Sequence, residues 1–232
     1  MTPAAGRGWA IEMEDARFSY RGGPEIVRIG GLRVEAGEHV FIFGPSGSGK
    51  TTLLGLLAGV LRATSGRVSI LGQDLTAMKP SGRDAFRASH IGYIFQLFNL
   101  IPYLSVRDNI TLPCRLNAER RRRLNGTPME EAAGRIATHL GMGSLLGENV
   151  SRLSVGQQQR VAAARSLMGT PELVIADEPT SSLDFDHRER FVELLFQECR
   201  EANSTLIFVS HDQSLMPMFH RTVSLTEINE AM

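Results

Sequence analysis

The segment from Val40 to Leu57 leaves the chain few ways to fold. Val40–Ile42–Phe43 is a short, fully apolar run that passes without a break into Gly44–Pro45–Ser46–Gly47–Ser48–Gly49. From Lys50 to Ala58, Leu53, Leu54 and Leu57 then recur on one helical face. A buried strand thus feeds a helix through a glycine-rich turn. The same alternation returns downstream, with strands expected over 66–71, 91–95, 173–176 and 205–209 and helices over 81–88, capped by Ser81, and over 186–201. Strands alternating with helices give an α/β fold with a mostly parallel sheet covered on both faces, in which ligands bind beyond the carboxyl ends of the strands.

Two stretches depart from this alternation. The first forty residues alternate in strand fashion between turns expected at Gly22–Gly23–Pro24, Gly30–Gly31 and Ala36–Gly37, which predicts a small antiparallel β lobe. Residues 99–167 carry helical periods broken at Pro102, Pro113, Gly126 and Pro128, and about 97–168 is read as an inserted helical lobe. The 232 residues are expected to form one domain, 1–232, with a core large enough to need no staples.

Gly44 to Thr51 fits G-x-x-x-x-G-K-[ST] at every position. The glycines Gly44, Gly47 and Gly49 let the backbone curl so that successive N–H groups, with those of Ser46 and Ser48, point at phosphate oxygens. The helix that begins near Gly49, including Thr52, adds a positive N-terminal end. Lys50 supplies an ammonium for the outer phosphates, and the Thr51 hydroxyl suits Mg²⁺. Alone, this loop specifies only nucleotide phosphates. The apolar strand Leu173–Ala176 ends in Asp177–Glu178, which places Asp177 to hold the metal and Glu178 to orient and polarise an attacking water. Hydrolysis is then separable from binding.

Leu153–Ser154–Val155–Gly156–Gln157–Gln158–Gln159–Arg160 precedes a helix with Val161, Ala164, Leu167 and Met168 on an apolar face. Ser154 is suited to cap it and Gly156 to let a ligand approach the backbone. A second anion-binding helix start far from the first suggests a nucleotide shared between two subunits. This stretch resembles the signature of ABC ATPases, and other motifs of that family follow the same order. Gln96 matches the Q-loop glutamine, Ser182–Leu183–Asp184 the D-loop, His211 the switch histidine, and Tyr20 the aromatic that stacks on adenine. The resemblance spans about residues 10 to 225. It implies a P-loop NTPase core of the RecA-like kind and ATP and Mg²⁺ as cofactors, with Thr51, Gln96 and Asp177 around the metal and Glu178, His211 and Gln96 around the water. It also implies a head-to-tail homodimer in which each ATP sits between the phosphate loop of one copy and Ser154, Gly156 and Gln157 of the other, with Asp184 reaching across.

Phe95–Gln96–Leu97–Phe98–Asn99–Leu100–Ile101–Pro102 and the triple glutamine are similar to the subgroup containing MacB, LolD and FtsE. That resemblance implies an ATPase working on a separate membrane permease subunit, which would dock near residues 97–115, at the cytoplasmic face of the inner membrane. An FtsE-like role in cell division, signalling rather than transporting, is the alternative. Val155 replaces the glycine usual at its signature position. Valine disfavours positive φ, so the loop must take a conformation that valine accepts.

Composition bounds the remaining readings. With 25 basic and 25 acidic side chains the net charge is zero, so no nucleic-acid partner is expected. No leader or membrane span is expected, because the longest apolar runs are strand-sized. Cys114 and Cys199 are expected to be reduced, buried thiols. The basic run Glu119–Arg120–Arg121–Arg122–Arg123 is read as a solvated helix face, or else as a contact with lipid headgroups or a partner.

Overall fold

The computed structural model describes residues 8–231 apart from 182 and 184, and in the helix after those it describes the backbone but not the side chains of residues 185–187. The chain divides into two compact units. One holds the described residues up to Arg87 and those from Thr205 onward, and the other is Ala88–Ser204.

In the first unit, Trp9–Ser19 (β1) and Glu25–Glu35 (β2) pair antiparallel with Ala16 opposite Ile29 and Phe18 opposite Val27. The alternation buries Ile11, Met13, Ala16, Val27, Ile29 and Val34 while the intervening charged residues face outward. Gly30–Gly31 was expected to turn but lies inside β2, with Gly31 opposite Glu14. The buried Ile29 and Leu32 on either side hold the extended path, and cross-strand packing overrides the local preference of glycine. His39–Phe43 (β3) leads into the glycine-rich loop and Lys50–Leu57 (α1). Ser65–Ile70 (β4) pairs with β1, and Gln73–Asp74 (β5) completes the order β2-β1-β4-β5. Pro80–His90 (α2) starts on its proline, whose missing N–H a first turn does not use. The Lys79 carbonyl accepts from Gly82 and Arg83 at 3.0 and 3.1 Å, so Ser81 is helical rather than the cap.

In the second unit, Ile91–Ile94 (β6) is followed by Val106–Leu116 (α3), Ala118–Arg122 (α4), Met129–His139 (α5), Val155–Leu167 (α6), Leu173–Asp177 (β7) and Phe185–Glu201 (α7). β6 and β7 run parallel, from Ile91 opposite Leu173 to Ile94 opposite Ala176. A Cβ on Gly92 would sit 2.4 Å from the Ser166 carbonyl oxygen, so only glycine lets this strand pass the end of α6. Pro113 was expected to break the chain but lies within α3. Its fixed φ is helical, and buried Val106, Ile110 and Cys114 on the same helix hold the turn that lacks its N–H. Pro128 does mark a boundary, as the N-cap residue of α5.

The chain then returns to the first unit as Thr205–Val209 (β8), Arg221–Ser224 (β9) and Leu225–Ile228 (α8). β3 lies between β8 and β9, parallel to both, and Phe41 packs against Phe208 and Phe219 at ring separations of 5.9 and 5.1 Å. Cys114 and Cys199 are buried and free, as expected, and burial pushes both thiols up. Among the described residues no helix is long and apolar enough to cross a membrane.

The basic run is not a uniform solvated face. Arg120 is 3% exposed. Its Nε donates to the Ala88 carbonyl at 2.9 Å, its Nη1 to those of Ser166 and Met168 at 3.2 and 3.0 Å, and its Nη2 to that of Ile91. Ser166 and Met168 close α6, where carbonyls lack intrahelical partners and the helix end is negative. Burial pulls the guanidinium down to about 10, which leaves it charged at neutral pH. Arg123 is tied to Glu172 at 2.6 Å and Glu119 at 3.0 Å, while Arg121 and Arg122 are exposed. Truncating Arg120 strands several buried carbonyls at about 1–3 kcal/mol for each group left unsatisfied. Arg120→Ala is therefore expected to lower stability by about 3 kcal/mol or more, and Arg121→Ala by less than about 0.5 kcal/mol, in urea unfolding midpoints.

Candidate functional site

The glycine-rich loop of the first unit is held open by its backbone. Gly47 and Gly49 have φ of 82° and 91°, in the left-handed region that glycine tolerates. Gly44 is needed for another reason: a Cβ there would lie 2.7 Å from Ser48 Oγ and 3.3 Å from Leu225 Cβ. Lys50 Nζ folds over the loop and donates to the Gly44 and Pro45 carbonyls at 2.7 and 2.9 Å. α1 starts at Gly49 with no side-chain cap and no acidic residue in its first turn. Its first N–H groups are therefore unsatisfied within the helix, and its positive end is unopposed. Ser46 and Gly47 are exposed, and Ser48 Oγ is buried with no hydrogen-bond partner among the described residues. Thr51 is exposed at the helix start and Thr52 is buried. Donors that converge without a carboxylate are what a polyphosphate requires.

Tyr20 follows β1 and opens the turn into β2, with its carbonyl accepting from Gly23 at 2.9 Å. Its ring is braced edge-on by Phe18 at 4.9 Å and is 53% exposed, so a face remains for stacking. His211, just after β8, lines a cavity of about 330 Å³ together with Phe43, Gly44, Pro45, Gln213, Ser224 and Thr226. His211 and the mouth of the glycine-rich loop thus share one cavity in this unit.

In the second unit, β6 and β7 bring Gln96 and Asp177–Glu178 to the same end of a parallel strand pair. Asp177 is half-buried, and Tyr93 OH donates to its Oδ2 at 3.5 Å. Burial, reinforced by the Asp177 charge, raises the Tyr93 hydroxyl well above its ordinary range, so it stays protonated and a donor. Glu178 takes φ of 47°, a strained position for a side-chain-bearing residue and one typical of catalytic turns. No feature of the sequence marked that strain. Within this unit the Asp177 carboxylate and the exposed Gln96 amide both offer oxygen atoms, the ligand type a hard divalent cation takes.

The loop after β6 is clamped by α6. Phe98 and Asn99 have φ of 58° and 48°, and Arg165 donates to their carbonyls at 2.6 and 2.7 Å. Further along, buried Asn109 holds Ile101 from both sides, accepting from its N–H at 2.8 Å and donating to its carbonyl at 3.1 Å. Sequence reading passed over both clamps, because each joins residues far apart in the chain.

At the other end of α6, Ser154 is the N-cap. Its Oγ accepts from Gln157 N at 3.3 Å, while Gln157 Oε1 accepts from Ser154 N at 2.9 Å, which makes a full capping box. The Gln157 side chain is thereby committed to the cap, and any ligand there meets backbone. Val155 is the first helical residue and keeps negative φ, which answers the strain raised by its replacing glycine. A Cβ on Gly156 would lie 3.2 Å from Leu183 Cδ2, so this position also favours glycine. Like α1 and α2, α6 has no acid in its first turn, whereas α3 and α4 each have one and α5 has two. Ser182 and Asp184 of the D-loop lie outside the described residues.

A glycine-rich loop, an acidic strand end and a second helix start free of acids are the parts of an ATP-binding cassette. The model of the ABC transporter family matches residues 30–181, and the chain belongs to that family. It is 41% identical over 194 residues to the ABC transporter ATP-binding protein YbbA of Escherichia coli K12, covering 84% of this chain and 83% of YbbA. It is 36% identical to the lipoprotein-releasing system ATP-binding protein LolD of Anaeromyxobacter dehalogenans, over 94% of this chain and 90% of LolD. It is 39% identical to the macrolide export ATP-binding/permease protein MacB of Syntrophobacter fumaroxidans, but spans only 30% of that protein's length. The fold matches the dimeric post-hydrolysis ATP-binding cassette MJ0796 bound to ADP and phosphate, with a TM-score of 0.82 and 30% identity over 92% of this chain and 93% of that one. The chain is an ABC-type ATPase, the ATP-binding component of its system.

Arg165→Ala removes two charge-assisted hydrogen bonds, each worth about 1.5–3 kcal/mol. Amide hydrogen exchange across residues 96–101 is expected to speed up at least tenfold in that variant, with the exchange of β3 unchanged.

Proposed function

We propose that this ATPase drives a separate membrane subunit by nucleotide-dependent pairing with a second copy of itself. The observation that carries the reading is the pair of acid-free helix starts at glycine-containing motifs, α1 behind the phosphate loop and α6 at Ser154–Gly156. One nucleotide needs only one phosphate cradle, and a second anion-receptive end on the same chain suits the nucleotide of a partner copy. The dimeric state of MJ0796 supports the same arrangement.

In this reading Gly44, Ser46, Gly47, Ser48, Gly49, Lys50, Thr51 and Thr52 take the phosphates of one ATP and Tyr20 stacks on its adenine. The partner copy's signature segment closes over the outer phosphate through the backbone of Val155 and Gly156, with Asp184 beside the shared face. Thr51, Asp177 and Gln96 would hold Mg²⁺ through their oxygens, and the ion would supply positive charge to offset that of the transferring phosphoryl group. Glu178 orients and deprotonates the water, and His211 donates to the outer phosphate. Loss of that phosphate is felt by Gln96, and the clamp between Arg165 and Phe98–Asn99 passes the change along the loop. On either side of it Leu97 and Tyr103 are 83% and 79% exposed, apolar side chains suited to a permease segment docking near residues 97–115. The protein then works peripherally, at the cytoplasmic face of the membrane that holds its partner. The names of LolD and MacB support a transporter or force-transmitting assembly.

Glu178→Gln tests both halves of the mechanism. It is expected to bind ATP with parental affinity and to release phosphate at least about 100-fold more slowly. With Mg²⁺ and ATP it is expected to elute as a dimer on size exclusion, and without nucleotide as a monomer. Parental phosphate release would remove Glu178 from its role, and a monomer under both conditions would count against the closed pair.

A further inference from the structure

Asn229 follows α8 and lies outside the segment, residues 30–181, that matches the family model. It is 3% exposed, and its amide is fully used. Nδ2 donates to the Ile26 carbonyl at 2.9 Å and to the Ser48 carbonyl at 3.2 Å. Oδ1 accepts from Arg28 N at 2.8 Å and from Ala231 N at 3.3 Å. Two donors and two acceptor sites are all that a carboxamide has. One side chain therefore joins β2 to the middle of the phosphate loop. The approach is close on the loop side as well. A Cβ on Gly49 would lie 3.2 Å from the Ile26 carbonyl oxygen and 3.5 Å from Asn229 Nδ2. The next residue adds an outer brace: Glu230 N donates to the Arg28 carbonyl at 2.8 Å, and its carboxylate meets Arg28 Nε at 3.2 Å.

The geometry of the peptide unit gives this contact a consequence. A trans peptide is planar, and its C=O and N–H point in opposite directions. Pinning the Ser48 carbonyl toward Asn229 turns the N–H of Gly49 to the other side, away from β2. Gly49, at φ 91°, has no side chain to fix that orientation itself. β2 is also the strand entered from the turn that Tyr20 opens, so the same amide sets the loop relative to the strand following the adenine-stacking residue.

We propose that Asn229 is a positioning residue for nucleotide binding, holding the Ser48–Gly49 peptide so that its N–H faces the phosphates and locking the loop to β2. It touches no nucleotide itself. It works by sparing the loop an ordering cost on binding, which shows in affinity. The inference rests on Gly44–Thr51 being the phosphate cradle.

The test uses the full chain and the fluorescent N-methylanthraniloyl derivatives of ATP and ADP. Asn229→Ala, and the milder Asn229→Ser, are expected to raise Kd at least tenfold and threefold respectively, by the same factor for both nucleotides because the inner phosphates are common to them. Val223→Ala, a buried change on β9, is the control for general loosening and is expected to lower the melting temperature while Kd stays within twofold. Kd within twofold of the parent in both Asn229 variants overturns the proposal, as does a matching rise in Val223→Ala. Lys50→Ala is titrated alongside. If it keeps parental affinity, the cradle reading itself fails, whereas its loss of binding leaves the Asn229 result to decide the proposal.

Discussion

The first N–H groups of an α-helix have no acceptor inside it, and a chain must decide what to aim at them. At α3, α4 and α5 this protein answers with Asp108, Glu119 and the pair Glu130–Glu131. α2 also lacks an acid in its first turn, but it begins on proline and so has one donor fewer. At α1 and α6 it provides no carboxylate at all. The surrounding structure then serves to keep those two starts in place. Gly44, Gly47 and Gly49 shape the approach to one, and the Ser154–Gln157 box shapes the approach to the other. The rest of the site follows from keeping acids away from phosphate-facing donors and placing them instead at a strand end, where a cation would mediate.

The parts legible from sequence were those whose cause is local. The loop from Gly44 to Thr51, the strand ending at Asp177–Glu178 and the cap at Ser154 each depend on residues within a turn or two, and each lies where the sequence placed it. The antiparallel lobe and the parallel strand pairs followed from period-2 runs and unbroken apolar runs. The misreadings came from tertiary contacts that override local preference. Gly30–Gly31 stays extended because β1 pairs across it. Pro113 stays helical because its neighbours are buried against other helices. Arg120 looked like a solvated charge because nothing nearby in sequence announces Ser166, Met168 and Ile91 as its partners.

The site shows the same division. Lys50, Asp177, Glu178 and His211 could be singled out directly, since the proposed chemistry would use those groups. The residues that orient them could not. Arg165 acts on Phe98 and Asn99, 67 and 66 positions away. Asn229 acts on Ser48 across 181. Hydrogen bonds at such separations leave no periodic trace, and left-handed φ at Glu178 and Phe98 falls on residues that do not advertise it. Val155 shows the reverse case. An apparent irregularity in a motif proved harmless, because its place at the first helical position asks only for an ordinary backbone.

α6 carries two different attachments. Ser154 stands at its start, and Arg165 reaches from its last turn to the loop after β6. Arg165 lies eleven residue steps from Ser154, about 16 Å of stiff rod. A rod of that length does not shorten or bend appreciably under the forces of a few hydrogen bonds, so tilting one end must swing the other. The helix has the build of a rocker arm: a tilt imposed at Ser154 would be delivered as a swing at the Phe98–Asn99 corner, beside the segment presenting Leu97 and Tyr103.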